Sequence, residues 1–413
     1  MPDRLLKDWI QGYIEYTSFQ ESPELFHKWN AISIIAAAME RHCWIDYGYF
    51  KLYPNQYIIL IGASAEVRKS SAIVIMEKLY KTSLPQGWCY AQKITAQAFI
   101  SFMKKSFAER KVSGGYIIAD ELSVFLGDAI KDTTLIQLLT KIYTCPDTLD
   151  YQTQARGLEQ AHNSFCNLLG GTTPEWIRDS FPGHAIEGGF SGRILFVYAE
   201  KTDEGRRFPP IAFNPRRQEI ESKIRDLQIK LSLDLQLINK LEGEFYLNDA
   251  AKEHFNHWYI ETYNPNGKNV DLKGYFGRKH DMLLKLTMAL SASERQDKVI
   301  TPEHILKALR LLGEIEVNLP NVMNLIQASP EGHQQHKIVA IIGATIPDDK
   351  GFRKMLREDL MRRFSYKINA RQLDEMVTTL LQSQQLETFL DAKTNKIWYR
   401  IPLEDKKGFI KPI

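Results

Sequence analysis

The chain has 413 residues, too many for one ordinary domain, and at 44% hydrophobic it holds ample material for a core. Its 53 Lys and Arg nearly balance its 50 Asp and Glu, for a formal net charge of +3, so bulk electrostatics neither demand nor exclude a polyanion and any basic surface must be local. Cys43, Cys89, Cys145 and Cys166 form no CxxC pair, so no zinc ribbon or redox pair is indicated, and such scattered thiols suit a reducing cytoplasm.

The start, MPDRLLKDWIQGYIEY, reads as amphipathic rather than as a signal peptide, and no apolar run is long enough for a membrane span. Ser22-Pro23 predicts a helix start, a capping hydroxyl followed by proline at the first helical position. Leu25, Trp29, Ile32, Ala36 and Met39 follow at three- and four-residue steps, which predicts a buried helical face. Tyr57–Ile61 is a short β-branched run ending in glycine. Further runs at Tyr116–Ala119, Cys166–Leu169 and Ile194–Tyr198, separated by helical patterns, predict an α/β core with a mostly parallel sheet. Beyond Arg206, Ile220, Ile224, Leu227 and Leu231 predict a long helix, and residues 248–326 read as wholly helical. A polar stretch near 327–336 predicts a linker. Three helical patterns and a hairpin follow it, with Asn369 as the cap of the third helix. The expected regions are an N-terminal helical region (1–44), an α/β core (45–210), a helical lid or extension (211–326) and a winged-helix tail (336–413).

After Tyr57–Ile61 comes Gly62-Ala63-Ser64-Ala65-Glu66-Val67-Arg68-Lys69-Ser70-Ser71 and then a helical pattern. Strand, small-residue loop, Lys-Ser and helix is the layout of a phosphate cradle. Backbone N–H groups and the helix N-terminus face the phosphates, the lysine reaches the β- and γ-phosphates, and the hydroxyl binds Mg²⁺. The expected nucleotide contacts are Gly62, Ser64, Arg68, Lys69, Ser70 and Ser71. The loop departs from GxxxxGK[ST]: it is one residue longer, and Arg68 replaces the second glycine. The plain alternative is an ordinary strand-turn-helix corner. The run Tyr116–Ala119 ends in Asp120-Glu121. Asp120 is expected in the Mg²⁺ shell and Glu121 beside the attacking water, as metal-assisted hydrolysis requires. The alternative is that the two acids merely cap the next helix. In Asn167-Leu168-Leu169-Gly170-Gly171-Thr172-Thr173, a threonine hydroxyl is placed to sense the γ-phosphate, with Thr172 the first choice and Thr173 the alternate.

The stretch NSFCNLLGGTTPEWIRDSF…GGFSGRILFVYAE resembles the helicase-like ATPase domain of phage and mobile-element primase–helicase proteins, near the superfamily 3 and minichromosome-maintenance helicases within AAA+. The resemblance covers about residues 20–320 and rests on the order and spacing of short motifs. It implies that Arg193, in Gly189-Phe190-Ser191-Gly192-Arg193, is an arginine finger on a neighbouring subunit's γ-phosphate. It implies likewise that Arg278, opening Arg278-Lys279-His280-Asp281, starts a sensor-2 helix that contacts nucleotide. The alternatives are surface arginines at a strand or helix start.

Residues 151–162 alternate loosely and turn at Arg156-Gly157, predicting a β-hairpin. The resemblance places such a hairpin in a ring channel, with Arg156 tracking phosphates. In the tail, Arg371, Lys393 and Lys396 are the candidate duplex contacts. The resulting expectation is a cytoplasmic ATP- and Mg²⁺-dependent DNA helicase or translocase. It would form a hexameric homo-oligomer on single-stranded or forked DNA, with a separate primase as a partner. The relatives that prime carry another catalytic domain, and this chain begins almost directly with its ATPase region. The alternatives are a nucleotide-switched initiator or loading factor and a non-enzymatic interaction protein with a decayed site.

Overall fold

Apolar β-branched runs that cannot bury both faces alone pair into a sheet covered by helices. The computed structural model of the chain describes residues 3–64, 66–87, 89–90, 93–126, 133–153, 157–180, 189–200, 211–264, 273–327, 335, 338–339, 341–349, 351–364, 369–391 and 396–402. The chain forms two compact units, Met1–Ile326 and Gln327–Ile413.

In the first unit, helices α1 (Trp9–Tyr16) and α2 (Glu24–Met39) lead to a hairpin of β1 (Cys43–Asp46) and β2 (Lys51–Leu52). Then come β3 (Tyr57–Ile61), α3 (Lys69–Ser83), helix Ala96–Arg110 and β4 (Ser113–Ala119). The antiparallel hairpin β5 (Thr148–Thr153) and β6 (Gly157–His162) precedes β7 (Ser164–Thr172) and β8 (Leu195–Tyr198). The central sheet has the order β4-β7-β3-β8 and is parallel throughout. Cys89 adds a single parallel bridge to Tyr116 on the β4 edge. β7, buried along its length, thus separates the two strands that carry the Lys-Ser and Asp-Glu motifs.

Buried side chains fix this arrangement. Asn167 on β7 accepts from Gln56 N at 2.7 Å and donates to the Ser33 carbonyl on α2 at 3.1 Å. α2 is buried almost all round, as befits a helix wedged against a sheet. It begins at Glu24, but Ser22 does not cap it: the hydroxyl bonds the Arg68 carbonyl instead. Helix Arg217–Asn239 packs within its own chain, on α1, α2 and α3. Its fully buried Asp234 accepts from the Leu5 and Leu6 amides at 2.9 and 2.8 Å, and Leu231 O accepts from Trp9 Nε1.

Residues 248–326 are not wholly helical. After β9 (Gly243–Glu244), which pairs with β1, the strand β10 (Tyr246–Leu247) pairs with β11 (Val299–Ile300), which interrupts the helical run. Helix Asp249–His257 continues as a π-helical turn, Trp258–Thr262, and helices Lys279–Glu294 and Pro302–Glu316 follow. Residues from 1–44, 45–210 and 211–326 all enter one hydrophobic core.

The second unit has its own core, with Leu360, Phe364, Leu373, Val377 and Leu380 buried. Strand β12 (Lys354–Leu356) precedes helices Arg357–Phe364 and Ala370–Gln382 and the hairpin β13 (Glu387–Asp391) and β14 (Lys396–Arg400). The sheet order is β12-β14-β13. Asn369 caps the second helix as expected, in a reciprocal box with Gln372. β12 was not expected, because three residues are too few to show an alternating pattern.

Lys285, on helix Lys279–Glu294, is only 2% exposed. Its ammonium lies 2.6 Å from Asn55 Oδ1 and 3.9 Å from the centre of the Tyr143 ring, tying that helix to the turn that launches β3. Burial pushes its pKa down to about 8, against the opposing pull of Cys145 and Asp281. The shift is downward, so between that value and the usual lysine range the unfolded chain binds a proton that the folded chain has released, and stability from this site rises with pH. K285M removes that dependence. Its stability relative to wild type should fall by about 3 kcal/mol from about pH 7.5 to about pH 10.5, read by urea unfolding. A difference that does not change with pH would refute a charged, buried lysine.

Candidate functional site

Parallel strands place their C-terminal ends along one edge, and three of the sequence motifs meet there. The first is the turn from β3 into α3. A Cβ at Gly62 would lie 2.4 Å from Val67 Cγ2 and 2.7 Å from the Ala199 carbonyl, so only glycine fits. Val67 is fully buried. The longer loop therefore folds an apolar anchor back beneath its own start.

Arg68 stands where the common pattern has glycine, and it adopts the left-handed conformation, φ 49° and ψ 36°. That conformation costs a non-glycine residue about 1 kcal/mol. Neighbouring groups hold it in place. Arg68 Nε bonds Glu21 Oε2 at 3.2 Å, Ser22 Oγ donates to the Arg68 carbonyl at 2.9 Å, and the same carbonyl accepts from Ala72 N at 3.2 Å. Lys69 is 8% exposed, and its Nζ donates to the carbonyls of Gly62 (2.6 Å) and Ala63 (3.4 Å). Burial lowers its pKa, while the charges of Glu121 and Glu175 oppose that shift. Ser64, Ser70 and Ser71 are exposed around it.

The second part follows β4, where Asp120 is half-buried and Glu121 exposed. The third is the end of β7. A Cβ at Gly171 would sit 2.8 Å from the Asp120 carbonyl and 2.9 Å from Ile73 Cδ1 on α3. Gly171 thus lets the acidic turn and the first turns of the lysine helix approach each other from opposite sides. The next residue separates the two threonine candidates. Thr173 Oγ1 accepts from Trp176 N and serves as a helix cap. Thr172 Oγ1 is buried and has no hydrogen-bond partner among the described residues. An orphaned hydroxyl at this strand end suits a ligand atom; a satisfied cap does not.

Glu175 was missed by the sequence reading. The signal was there: Thr172-Thr173-Pro174-Glu175 reads as a helix start, so an acid in the first turn looks like dipole compensation. Its charge also faces Lys69. Glu21 and Ser22 were missed as loop partners because they lie far upstream in the chain.

Arg193 and Arg278 lie together, away from this edge. Both guanidinium groups approach Gly189, where a Cβ would be 3.1 Å from Arg193 Nη1 and 3.6 Å from Arg278 Nη2. Gly192 packs directly on Gly274. Arg193 Nη1 donates to Gly189 O, and Arg278 Nη1 donates to Gly274 O at 2.9 Å. Burial, and next the like charge of Arg278, lower the Arg193 pKa. Arg193 precedes β8, whose Leu195 is level with Ile58 near the start of β3. Strand rise alone, about 3.3 Å per residue, therefore puts more than about 13 Å between Arg193 and the Lys69 turn.

Arg156 and Lys393 lie outside the described residues. The hairpin expected around Arg156 is present as β5 and β6, and β6 is held to helix Ala96–Arg110 by Lys104–Glu159 at 3.1 Å. In the second unit, Arg371 is exposed and paired with Glu375 at 3.0 Å, and Lys396 is paired with Glu358 at 3.1 Å.

Among the described residues no group of three or more His, Cys, Asp and Glu could hold a metal. Ser70 and Asp120, expected from the sequence to hold Mg²⁺, supply a hydroxyl and a carboxylate, ligand types that ion accepts while completing its shell with phosphate oxygens and water. No helix among the described residues is long and apolar enough to cross a membrane. Comparison of the chain with protein families and with curated proteins gives no match.

Substitutions at two positions test this geometry without any ligand. T172V replaces an orphaned hydroxyl by a methyl of similar size, so it should raise stability by about 1 kcal/mol. A loss of that size in thermal or urea unfolding would show that the hydroxyl has a partner. R68G relieves the left-handed strain but gives up the Glu21 pair, so it should stay within about 1 kcal/mol of wild type, whereas R68V should lose about 2 kcal/mol.

Proposed function

We propose that this chain is an ATP-dependent DNA helicase or translocase with an AAA+ type core, of the kind used in phage or mobile-element replication. It would act as a ring with nucleotide bound between subunits and carry a winged helix in its second unit. The observation that carries the reading is the shared strand edge: Lys69, Asp120 with Glu121, and the orphaned Thr172 hydroxyl lie around Gly171, whose missing side chain lets the acidic turn and the lysine helix pack closely. Neither motif alone would support it.

ATP is the substrate. Its phosphates would lie along the loop from Gly62 to Ser71, at the N-terminus of α3. Lys69 would exchange the Gly62 carbonyl for the β- and γ-phosphate oxygens. Ser70 and Asp120 would hold Mg²⁺, which when bound neutralises phosphate charge. Glu121 would accept a proton from water as its oxygen attacks the γ-phosphorus, and the bond to the β-bridging oxygen breaks to give ADP and phosphate. Thr172 would donate to a γ-phosphate oxygen or the attacking water. Arg193 with Arg278 would meet the γ-phosphate of the neighbouring subunit, since both stand at the far end of the strands from their own Lys69. Motion of the hairpin β5–β6 would carry single-stranded DNA.

A second reading, a nucleotide-switched initiator or loading factor, is favoured by one observation. Glu21 and Ser22 lock Arg68 while Lys69 is bonded across its own loop. Such a loop suits a protein that changes state on binding. Strand displacement on a forked duplex separates the two: a motor unwinds it and a switch does not.

DNA-stimulated ATPase activity is expected, with K69A and E121Q each lowering kcat by at least about 100-fold. Wild-type protein with no hydrolysis at any DNA concentration would sink the motor. Mixing K69A with R193A subunits should restore part of the activity, because a mixed interface can pair an intact lysine with an intact arginine. No restoration would place Arg193 outside the site.

A further inference from the structure

A cleft of about 480 Å³ opens on the first unit between the β1–β2 hairpin, the segment Glu244–Leu247 and the helix that carries the π-turn. Its floor is apolar, with Ile45, Phe245 and Leu284 buried. Its walls are aromatic. On the hairpin side, Tyr47 stacks on Phe50 with centroids 5.0 Å apart and planes 26° apart. On the helix side, Phe255, Tyr259 and Tyr263 form a continuous stack, with centroid spacings of 5.8 and 5.4 Å. Tyr246 and Tyr259 remain 50% and 43% exposed. The π-turn Trp258–Thr262 widens the helix where Tyr259 enters the cleft, and such turns concentrate at functional sites.

The rim carries both signs. Asp46 and Glu244 offer acceptors, and Lys252 and His280 offer donors. An aliphatic anchor would leave these donors and acceptors unused. A planar group with donors and acceptors on its edge matches walls of ring faces and a mixed rim.

We propose that this cleft binds an unpaired nucleobase of a single-stranded nucleic acid, stacked between the Tyr47 and Phe255–Tyr259 walls. It would be a second contact, separate from the hairpin β5–β6. The β1–β2 turn extends the track: Tyr49 is fully exposed at the tip and Phe50 is 58% exposed, placed to receive the next base. Lys51 lies over the Trp44 ring at 3.8 Å and stays exposed for a phosphate. Base–aromatic stacking tolerates any sequence, so the site reads single-strandedness rather than bases.

The site does not depend on hydrolysis, and the test uses the full-length K69A chain without nucleotide, so a failure of the ATPase reading leaves it standing. Oligo-dT bearing 5-iodouracil should crosslink on irradiation to Tyr47, Tyr246 or Tyr259, mapped by peptide mass spectrometry. The double variant Y246A/Y259A should weaken oligonucleotide binding roughly 5- to 100-fold, and Y246F/Y259F should restore it. An abasic oligonucleotide of equal length should bind no better to wild type than to the double variant. The proposal is overturned by crosslinks confined to other segments, by equal affinity of the wild type and the alanine variant, or by equal affinity for abasic and dT strands. It is also overturned if no single strand binds.

Discussion

The first unit is organised around the end of β7. That strand lies between the two strands whose turns carry the charged motifs, and a side chain there would hold them apart. A Cβ at Gly171 would strike both the Asp120 carbonyl and Ile73, and one at Gly170 would come within 3.1 Å of Leu122. Two successive glycines in a buried central strand weaken it, since they pack no side chain and lose more entropy on ordering. The strand is nine residues long and buried throughout, with neighbours on both sides, and it can bear that cost. With no side chain there, the lysine helix, an acidic pair and an unsatisfied hydroxyl pack closely along one edge.

The unusual loop before α3 becomes physically coherent once its neighbours are considered. A glycine at position 68 would take the left-handed turn unaided. Arg68 takes it with outside help: its side chain is tied to Glu21 and its carbonyl to Ser22. The loop geometry is thereby made dependent on the segment that precedes α2. α2 is itself fixed to α3 through Asn30 and the Ala72 carbonyl, and to the central sheet through Asn167 and Ser33. Whatever moves the N-terminal helices would be felt at the lysine. A glycine-based loop would be insulated from them.

The features legible in the sequence were those with local causes. The β-branched runs, the Lys-Ser turn, the Asp-Glu pair and the hairpin around residue 156 each announce themselves within about ten residues. Asn369 with Gln372 is likewise a complete capping signal in four residues. Features set by distant partners were not legible. Ser22 looked like a cap because a hydroxyl before Pro is a cap in isolation; its bond to Arg68 spans 46 positions. Glu175 went unread because its proximity to Lys69 depends on the order of strands. Thr172 was the first choice in sequence and Thr173 the alternate, and burial and one amide hydrogen bond separate them. Strand β12 and the pairing of β10 with β11 are too short to leave a period.

The placement of the two arginines bears on assembly. Arg193 and Arg278 stand side by side, half-buried, with the shared surroundings of Gly189 and Gly274 and with like charges that raise the cost of ionisation for Arg193. Two guanidinium groups so close repel each other unless an anion joins them. Their own chain offers backbone carbonyls rather than a carboxylate in the contacts described for them. Strand geometry keeps both from their own Lys69 turn. On the reading proposed above, a phosphate held at the strand edge of a neighbouring copy would have the charge to relieve the repulsion. The same closeness that disfavours two charges in one chain would then make the pair responsive to a bound anion, with burial and Arg278 together lowering the Arg193 pKa.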